Sequence, residues 1–234
     1  MTSYYVGKRA QNYDLRWRSY TRNTLAKTIA MIDIAKLRNI ASQFGRPPRV
    51  LDVACGTGVL LRMLAEQIPD MEGYGVDASA DMLAQARIAL KDQSHIQFEQ
   101  AELGKDGITH LPYASQFFDL ITCTNALHYM ANPAGVIVEL RRLQAPEGQM
   151  VVEDYARHGP PFLWALFEQL LRRIEKGQVR AFTLSEAESL FTQAGLSVVR
   201  EQTFALDLVC HGWVLHLSNP ACDVVQHSEV KDKK

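Results

Sequence analysis

Asp52 and Asp77 flank a glycine turn, Gly56-Thr57-Gly58, in an arrangement that suits a bound nucleoside. Asp52 sits inside the apolar run Val50-Leu51-Asp52-Val53-Ala54, four residues before Gly56, and Asp77 ends the run Gly73-Tyr74-Gly75-Val76. A dinucleotide-binding turn reads Gly-x-Gly-x-x-Gly and seats a pyrophosphate on the N-terminus of the helix that follows. Here Leu61 stands where the third glycine would be, and the Asp52 carboxylate would repel a pyrophosphate. A carboxylate placed like Asp77 accepts hydrogen bonds from both ribose hydroxyls of an adenosine. The pair therefore fits an adenosine ligand that carries a cation and no phosphate, a description that S-adenosylmethionine meets.

Further along, Thr124-Asn125-Ala126-Leu127-His128-Tyr129 follows an apolar run. An imidazole can take a proton from a hydroxyl or an amine at neutral pH, so His128 is a candidate general base; it is equally a packing residue at a helix start. Methyl transfer from a sulfonium is an in-line displacement whose reactive group the ligand supplies, so the protein must align the acceptor and exclude water, with or without a base. The stretch 154–182 carries Tyr155 and Trp164 among other aromatics and suits a second wall of an acceptor pocket, or plain packing on a sheet. Near the N-terminus Tyr4, Tyr5, Tyr13, Trp17 and Tyr20 alternate with Lys8, Arg9, Arg16, Arg18 and Arg22. That mixture could stack nucleic-acid bases, yet 25 Lys and Arg face 26 Asp and Glu, a net charge of −1 with no excess for a polyanion. A lid whose aromatic faces meet a sulfonium is the stronger expectation. Cys55, Cys123, Cys210 and Cys222 stand singly, which argues against a disulfide framework or a structural zinc site, and no metal is implied.

The elements that must position these residues are legible from periodicity. Apolar positions from Leu25 to Ile40 recur at helical steps and predict one amphipathic helix over 21–44, ended at Gly45 and Pro47-Pro48. A strand over 49–54, a helix over 58–68 and a strand ending at Asp77 follow, then a helix capped by Ser79 with Met82, Leu83 and Ala86 on one face. Further strands are predicted at 96–100, 118–122 and 149–153, with a helix opened by Asn132-Pro133, closed at Leu143 and followed by a Pro146-Glu147-Gly148 break. Thr183 and Glu186 read as a capping box for a helix over 183–194 with Gly195 as its stop. Two last strands are expected at 196–204 and 208–217, ahead of a charged tail. Apolar strands alternating with helices imply an α/β fold, a doubly wound, mostly parallel sheet of the Rossmann-like kind.

At this point the sequence resembles the class I S-adenosylmethionine-dependent methyltransferases, within them the ubiquinone- and menaquinone-biosynthesis-like small-molecule group. The likeness covers about residues 48–153. Val50-Leu51-Asp52-Val53-Ala54-Cys55-Gly56-Thr57-Gly58 looks like the family's first motif, Val76-Asp77-Ala78-Ser79-Ala80-Asp81-Met82 like its second, and Leu111-Pro112-Tyr113 with Phe117-Phe118-Asp119-Leu120 like the entry to strand four. The resemblance implies a seven-stranded sheet with a reversed C-terminal hairpin. It also implies that Ala54, Gly56 and Gly58 line the methionine part, Asp77 the ribose, and Ala78 and Met82 the adenine. Asn125, His128 and Tyr129 fall where the family faces the methyl group, and Tyr13 and Tyr20 where it caps the cofactor. One departure stands out: the usual Gly-Asp-Ala after strand three is replaced by Gln100-Ala101-Glu102, so either Glu102 or the backbone of Ala101 and Leu103 would have to meet the adenine.

The expected organisation is an N-terminal helical lid over 1–46, a cofactor-binding core over 47–155, a helical insertion over 156–182, a closing helix and hairpin over 183–220, and a flexible tail over 221–234. No uncharged apolar run reaches the ~18 residues of a membrane span and no secretory h-region follows the N-terminal basic residues, so a cytoplasmic protein is expected. The leading reading is a methyltransferase for a small organic acceptor. A non-catalytic S-adenosylmethionine-binding or scaffold protein of the same fold is the alternative, and the oligomeric state stays open.

Overall fold

A computed structural model gives the fold and describes residues 5–104, 110–157, 180–206 and 210–220, with Trp164, Gln169 and Arg173 in the stretch between; of Ser19 the backbone alone is described. Most of the helical insertion expected over 156–182 and the tail expected over 221–234 therefore lie outside the described residues. The chain opens with a short helix α1 (Lys8–Gln11) and a long helix α2 (Tyr13–Met31), followed by α3 (Ile34–Phe44). The alternation then runs β1 (Arg49–Val53), α4 (Val59–Gln67), β2 (Glu72–Asp77), α5 (Ala80–Ala89), β3 (Ile96–Gln100), β4 (Phe118–Thr124), a 3-10 turn (Leu127–Tyr129), α6 (Pro133–Leu143) and β5 (Gln144–Ala156). Helix α7 (Leu184–Gln193) and the strands β6 (Ser197–Ala205) and β7 (His211–Ser218) complete it.

The strands form one seven-stranded sheet in the order β3-β2-β1-β4-β5-β7-β6. The first five pair in parallel, while β7 enters antiparallel to β5, with Val152 opposite Leu215, and pairs antiparallel with β6. The order in which strands join the sheet therefore switches sides between the parallel strands β1 and β4, and the connections leaving their carboxyl ends diverge to leave the crevice where such sheets hold ligands. Both faces are dry. Leu51, Val53, Ile121, Cys123 and Val152 pack under α6 and α7 through Ile137, Leu140 and Phe191, whereas Val50, Leu120, Val151 and Val214 pack under α2, α4 and α5 through Leu25, Leu61, Leu64 and Leu83. The period-two split of neighbouring residues onto opposite faces is what a doubly covered parallel strand requires.

Two element boundaries differ from expectation. The single helix over 21–44 is two helices, because Ile32 is extended and the chain turns at Asp33. Gln149 of β5 stabilises that break from across the sheet: its amide oxygen accepts the Asp33 N–H at 2.7 Å and its Nε2 donates to the Asp33 carbonyl at 3.1 Å, while the Asp33 carboxylate caps α3 through the Lys36 N–H. Likewise Pro146-Glu147-Gly148 does not precede β5 but lies within it; the pairing with β4 shifts register between Phe118 and Leu120 to accommodate the segment, and Gln144 Nε2 donates to the Gly148 carbonyl. The caps follow the sequence closely. Ser79 and Asn132 open α5 and α6, Thr183 and Glu186 make a reciprocal capping box, and Gly195 follows α7 at φ +83°.

Candidate active site

The crevice above β1 and β2 is built largely by backbone. Between β1 and α4 the chain passes through left-handed conformations at Ala54 (φ +56°), Gly56 (φ +55°) and Gly58 (φ +75°). The turn points the Gly56 N–H at Asp77, whose Oδ2 accepts it at 2.9 Å, and the Ser79 N–H reaches Oδ1 at 2.8 Å. Each oxygen keeps a second lone pair, so a carboxylate held in place by two amides remains able to accept hydroxyl groups. Burial pushes the Asp77 carboxyl up and these N–H bonds oppose that shift. Asp52, 2% exposed, lies in the same wall, where the Thr122 hydroxyl of β4 donates to its Oδ1 at 2.8 Å. Burial, then its hydrogen bond with Thr122 acting downward and the nearby Asp77 charge acting upward, leave its carboxyl at about 7.

On the β4–β5 side the groups are side chains. His128 in the 3-10 turn is buried, and its Nδ1 lies 2.5 Å from Oδ1 of Asp154 on β5. The His128 N–H donates to Asp154 Oδ2 at 2.8 Å and the Tyr155 N–H to Oδ1 at 2.7 Å. The His128 ring rests against Tyr129 at 3.9 Å between centroids and meets Tyr155 in a T-shaped contact at 5.1 Å. Tyr155 in turn stacks on Tyr20 of α2 at 5.5 Å and 21°. Asn125, also left-handed at φ +52°, accepts the Tyr20 hydroxyl at 2.8 Å and donates to Thr24 Oγ1 at 3.1 Å. Burial raises the hydroxyls of Tyr13, Tyr20 and Tyr155, which therefore stay protonated donors at neutral pH.

The N-terminal helices lie over this crevice and are tied to its loops. Thr57 donates to Asp14 at 2.6 Å, the Gly7 N–H to Asp81 at 2.7 Å, and the Ser79 hydroxyl to the Tyr5 carbonyl at 2.8 Å. Tyr5, Tyr13, Trp17 and Tyr20 thereby become part of the wall.

The structure brings most of the expected residues to this one crevice: Tyr13, Tyr20, Asp52, Ala54, Gly56, Asp77, Ala78, Met82, Asn125, His128, Tyr129 and Tyr155 all line it. It leaves five outside. Gly58 caps α4 facing α5, where an added Cβ would come within 2.8 Å of Leu90 Cδ1, so this glycine permits helix packing, and it is not among the residues that line the crevice. The Ala101 N–H is already given to the Asp77 carbonyl, and Ala101 and Leu103 pack on the core. Glu102 and Trp164 also stand apart from the wall. At the end of β3, Gln100 donates to the Ala78 carbonyl at 2.9 Å and Glu99 accepts the Tyr113 hydroxyl, so the side chains there are engaged in internal bonds. Sequence reasoning missed Asp154 and Glu153. The first shows only as a polar residue at the end of a strand. Both carboxyl oxygens of the second are buried with no hydrogen-bond partner among the described residues, and burial pushes its carboxyl well up. Among the described residues no group of three His, Cys, Asp or Glu is placed to hold a metal, and no helix is long and apolar enough to cross a membrane.

A parallel sheet closed by one antiparallel strand, with a glycine turn facing a strand-end carboxylate, defines a Rossmann-like ligand-binding fold. The chain belongs to the methyltransferase domain family, which it matches over residues 47–195. It is 25% identical over 175 residues to a Bacillus subtilis protein named Uncharacterized methyltransferase YcgJ, covering 74% of this chain and 66% of that one. It is 29% identical over 144 residues to a ubiquinone biosynthesis O-methyltransferase of Aliivibrio fischeri, covering 60% of this chain and 58% of the relative. The chain thus spans less than two thirds of the length of either. The crystal structure of YcgJ superposes with a TM-score of 0.56 at 22% identity, over 73% of this chain and 71% of that one.

Proposed function

We propose that the chain transfers a methyl group from S-adenosylmethionine to a small organic acceptor by in-line displacement. One observation carries this reading. Asp77, fixed by the Gly56 and Ser79 amides, shares the crevice with the buried Asp52, and no Lys or Arg lies in the described wall. A pyrophosphate would meet only negative charge there, whereas an adenosine bearing an ammonium and a sulfonium fits the donor set. When bound, the cofactor supplies an activated methyl group. The chain's own residues do the rest: Asp77 accepts the ribose hydroxyls, Ala54 and Gly56 line the methionine portion, Ala78 and Met82 border the adenine, and Asp52 offers charge to the ammonium. Asn125 and the tyrosines Tyr13 and Tyr20 close the crevice and exclude water, with their aromatic faces toward positive charge.

In this reading residues 1–46 are the lid, 47–155 the cofactor-binding core, 156–182 an insertion beside it, 183–220 the closing helix and hairpin, and 221–234 a tail. His128, Tyr129 and Tyr155 face the acceptor. The absence of a basic excess favours a small molecule over nucleic acid, and the lack of a long apolar helix among the described residues suits a cytoplasmic enzyme. The name of the Aliivibrio relative favours an oxygen acceptor. Titration calorimetry with S-adenosylmethionine, S-adenosylhomocysteine and NADH tests the reading. Binding of the first two is expected; binding of NADH alone would replace this reading with a dehydrogenase.

A further inference from the structure

Charge is unevenly distributed along the chain. Residues 1–46 hold nine Lys and Arg against two Asp, while the remainder holds 16 against 24 Asp and Glu, so the cover over the crevice is basic and the body beneath it acidic. Part of that basic charge gathers in a second cavity of about 250 Å³, lined by Tyr5, Lys8, Arg9, Asn12, Arg16 and Trp17. Lys8, Asn12 and Arg16 follow one another at four-residue steps. The Asn12 N–H donates to the Lys8 carbonyl at 3.1 Å and the Arg16 N–H to the Asn12 carbonyl at 3.0 Å, so helical spacing crosses the junction of α1 and α2 and sets the three residues on one side. Asn12 Nδ2 also donates to the Lys8 carbonyl, at 2.8 Å. The Arg16 guanidinium lies over the Trp17 ring at 5.5 Å, which holds its plane and leaves its N–H edge to a ligand. No carboxylate is among the described residues of this lining, and neither Lys8 nor Arg16 makes an ion pair among the described residues. The acids nearby are engaged elsewhere, Asp14 by the Thr57 hydroxyl and Asp81 by the Gly7 N–H.

Cations gathered around one hollow repel one another unless an anion joins them. We propose that this outer pocket is a binding site for a carboxylate or phosphate group carried by the acceptor; that the anion belongs to the acceptor rests on the methyl-transfer reading above. Tyr5 and Trp17 line both the pocket and the crevice, so the two spaces adjoin. The crevice wall holds the carboxyls of Asp52 and Asp77 and, among the described residues, no Lys or Arg, so an anionic group would be repelled there. An acceptor that bears one keeps it at the mouth, on Lys8 and Arg16, while its uncharged part passes Tyr5 and Trp17 into the crevice. Arg16 offers paired N–H groups to two oxygens of one anion, and Lys8 adds a point charge that does not depend on a single geometry. An anion that bridges Lys8 of α1 and Arg16 of α2 also fixes the junction of two segments that bond to the loops after β1 and β2. Occupancy of the pocket and of the crevice therefore favour each other, and by the same factor in both directions.

The test uses the full chain labelled with 15N and read by NMR, titrated with inorganic phosphate, with acetate and, at matched ionic strength, with sodium chloride. The Trp17 indole and Arg16 Nε resonances are expected to move saturably with phosphate or acetate beyond the chloride control. The midpoint is expected to weaken about threefold or more in Lys8→Gln and in Arg16→Gln but not in Arg22→Gln, which removes a cation of α2 outside the pocket. A response that does not saturate, or one that Arg22→Gln weakens equally, reduces the pocket to a general effect of charge and overturns the site. In turnover, thiol, phenol and amine acceptors are each offered as the free acid and as its methyl ester. The acid is expected to show the lower KM, and Lys8→Gln and Arg16→Gln to remove that difference with kcat nearly unchanged; equal KM for acid and ester in the wild type overturns the assignment to the acceptor. Flotation with phosphatidylglycerol but not phosphatidylcholine vesicles, lost in Arg16→Gln and without saturable binding of phosphate or acetate, moves the anion to a membrane surface and likewise overturns it. Failure of the wild type to bind S-adenosylhomocysteine sinks the methyl-transfer reading instead, and the phosphate and acetate titrations still decide the site.

Discussion

Two carboxylates at strand ends, Asp77 on β2 and Asp154 on β5, are both held by backbone amides, yet their surroundings differ in kind. Asp77 takes its donors from the turn after β1 and from its own loop, at sequence separations of 21 and 2, and the groups near it are main chain. Asp154 takes one donor from its neighbour Tyr155 and two from His128, at a separation of 26, and beyond it stand aromatic side chains brought from α2. Backbone geometry tolerates change in side chains and so suits a ligand that does not change. A wall of side chains can be rebuilt residue by residue, which suits an acceptor that differs from one relative to the next.

Substitutions in the two halves should separate accordingly. The largest effect is expected at Asp52. Its carboxyl, raised by burial from 3.8 to about 7, is easier to protonate folded than unfolded, so a destabilisation absent at low pH grows as pH rises between these values and stays constant above. Asp52→Asn should therefore be more stable than wild type at pH 8, by on the order of 3 kcal/mol, equal to it near pH 3, and poorer at binding S-adenosylmethionine. Urea unfolding across that range checks the sign; a stability gain independent of pH would place the origin elsewhere. Asp77→Ala removes charge-assisted bonds worth ~1.5–3 kcal/mol, so calorimetry should show affinity for S-adenosylhomocysteine reduced at least about tenfold. An unchanged dissociation constant would move the ribose to another residue. Gly58→Ala places a Cβ at φ +75° against Leu90 and should cost ~1–3 kcal/mol of stability while leaving ligand affinity per folded molecule intact. A specific loss of affinity would return Gly58 to the binding wall. Tyr20→Phe loses the hydroxyl's bond to Asn125 and its polar contact with Tyr155 and keeps the ring stack; about 1 kcal/mol is expected, seen as faster proteolysis at α2 with little change in thermal midpoint.

The same contrast explains what the sequence disclosed. The parallel alternation, the caps at Ser79, Asn132 and Thr183, and the turn facing Asp77 depend on neighbours close in the chain, and periodicity or capping chemistry reports them. The break at Asp33 depends on Gln149, a separation of 116, and no local pattern announces it. Tyr20 with Asn125, at 105, and Asn125 with Thr24, at 101, are likewise products of the folded sheet. His128 is visible in the sequence as an imidazole after β4, but its pairing with Asp154 depends on the register of β4 on β5, which no local pattern discloses. Gly58 shows the converse: the motif suggests a ligand contact, and the fold adds a packing reason for glycine that the sequence does not disclose, the approach of Leu90 to its missing Cβ.

The ties between the N-terminal helices and the crevice end on Thr57, Ser79, Asp81 and Asn125, residues in or beside the three loops that follow β1, β2 and β4. Those bonds form only when all three loops have settled, so closing the cover is a readout of loop order. The consequence is one of sequence in time: on the methyl-transfer reading, a cofactor seated beneath these loops should enter before the acceptor, and the demethylated cofactor should be the last to leave.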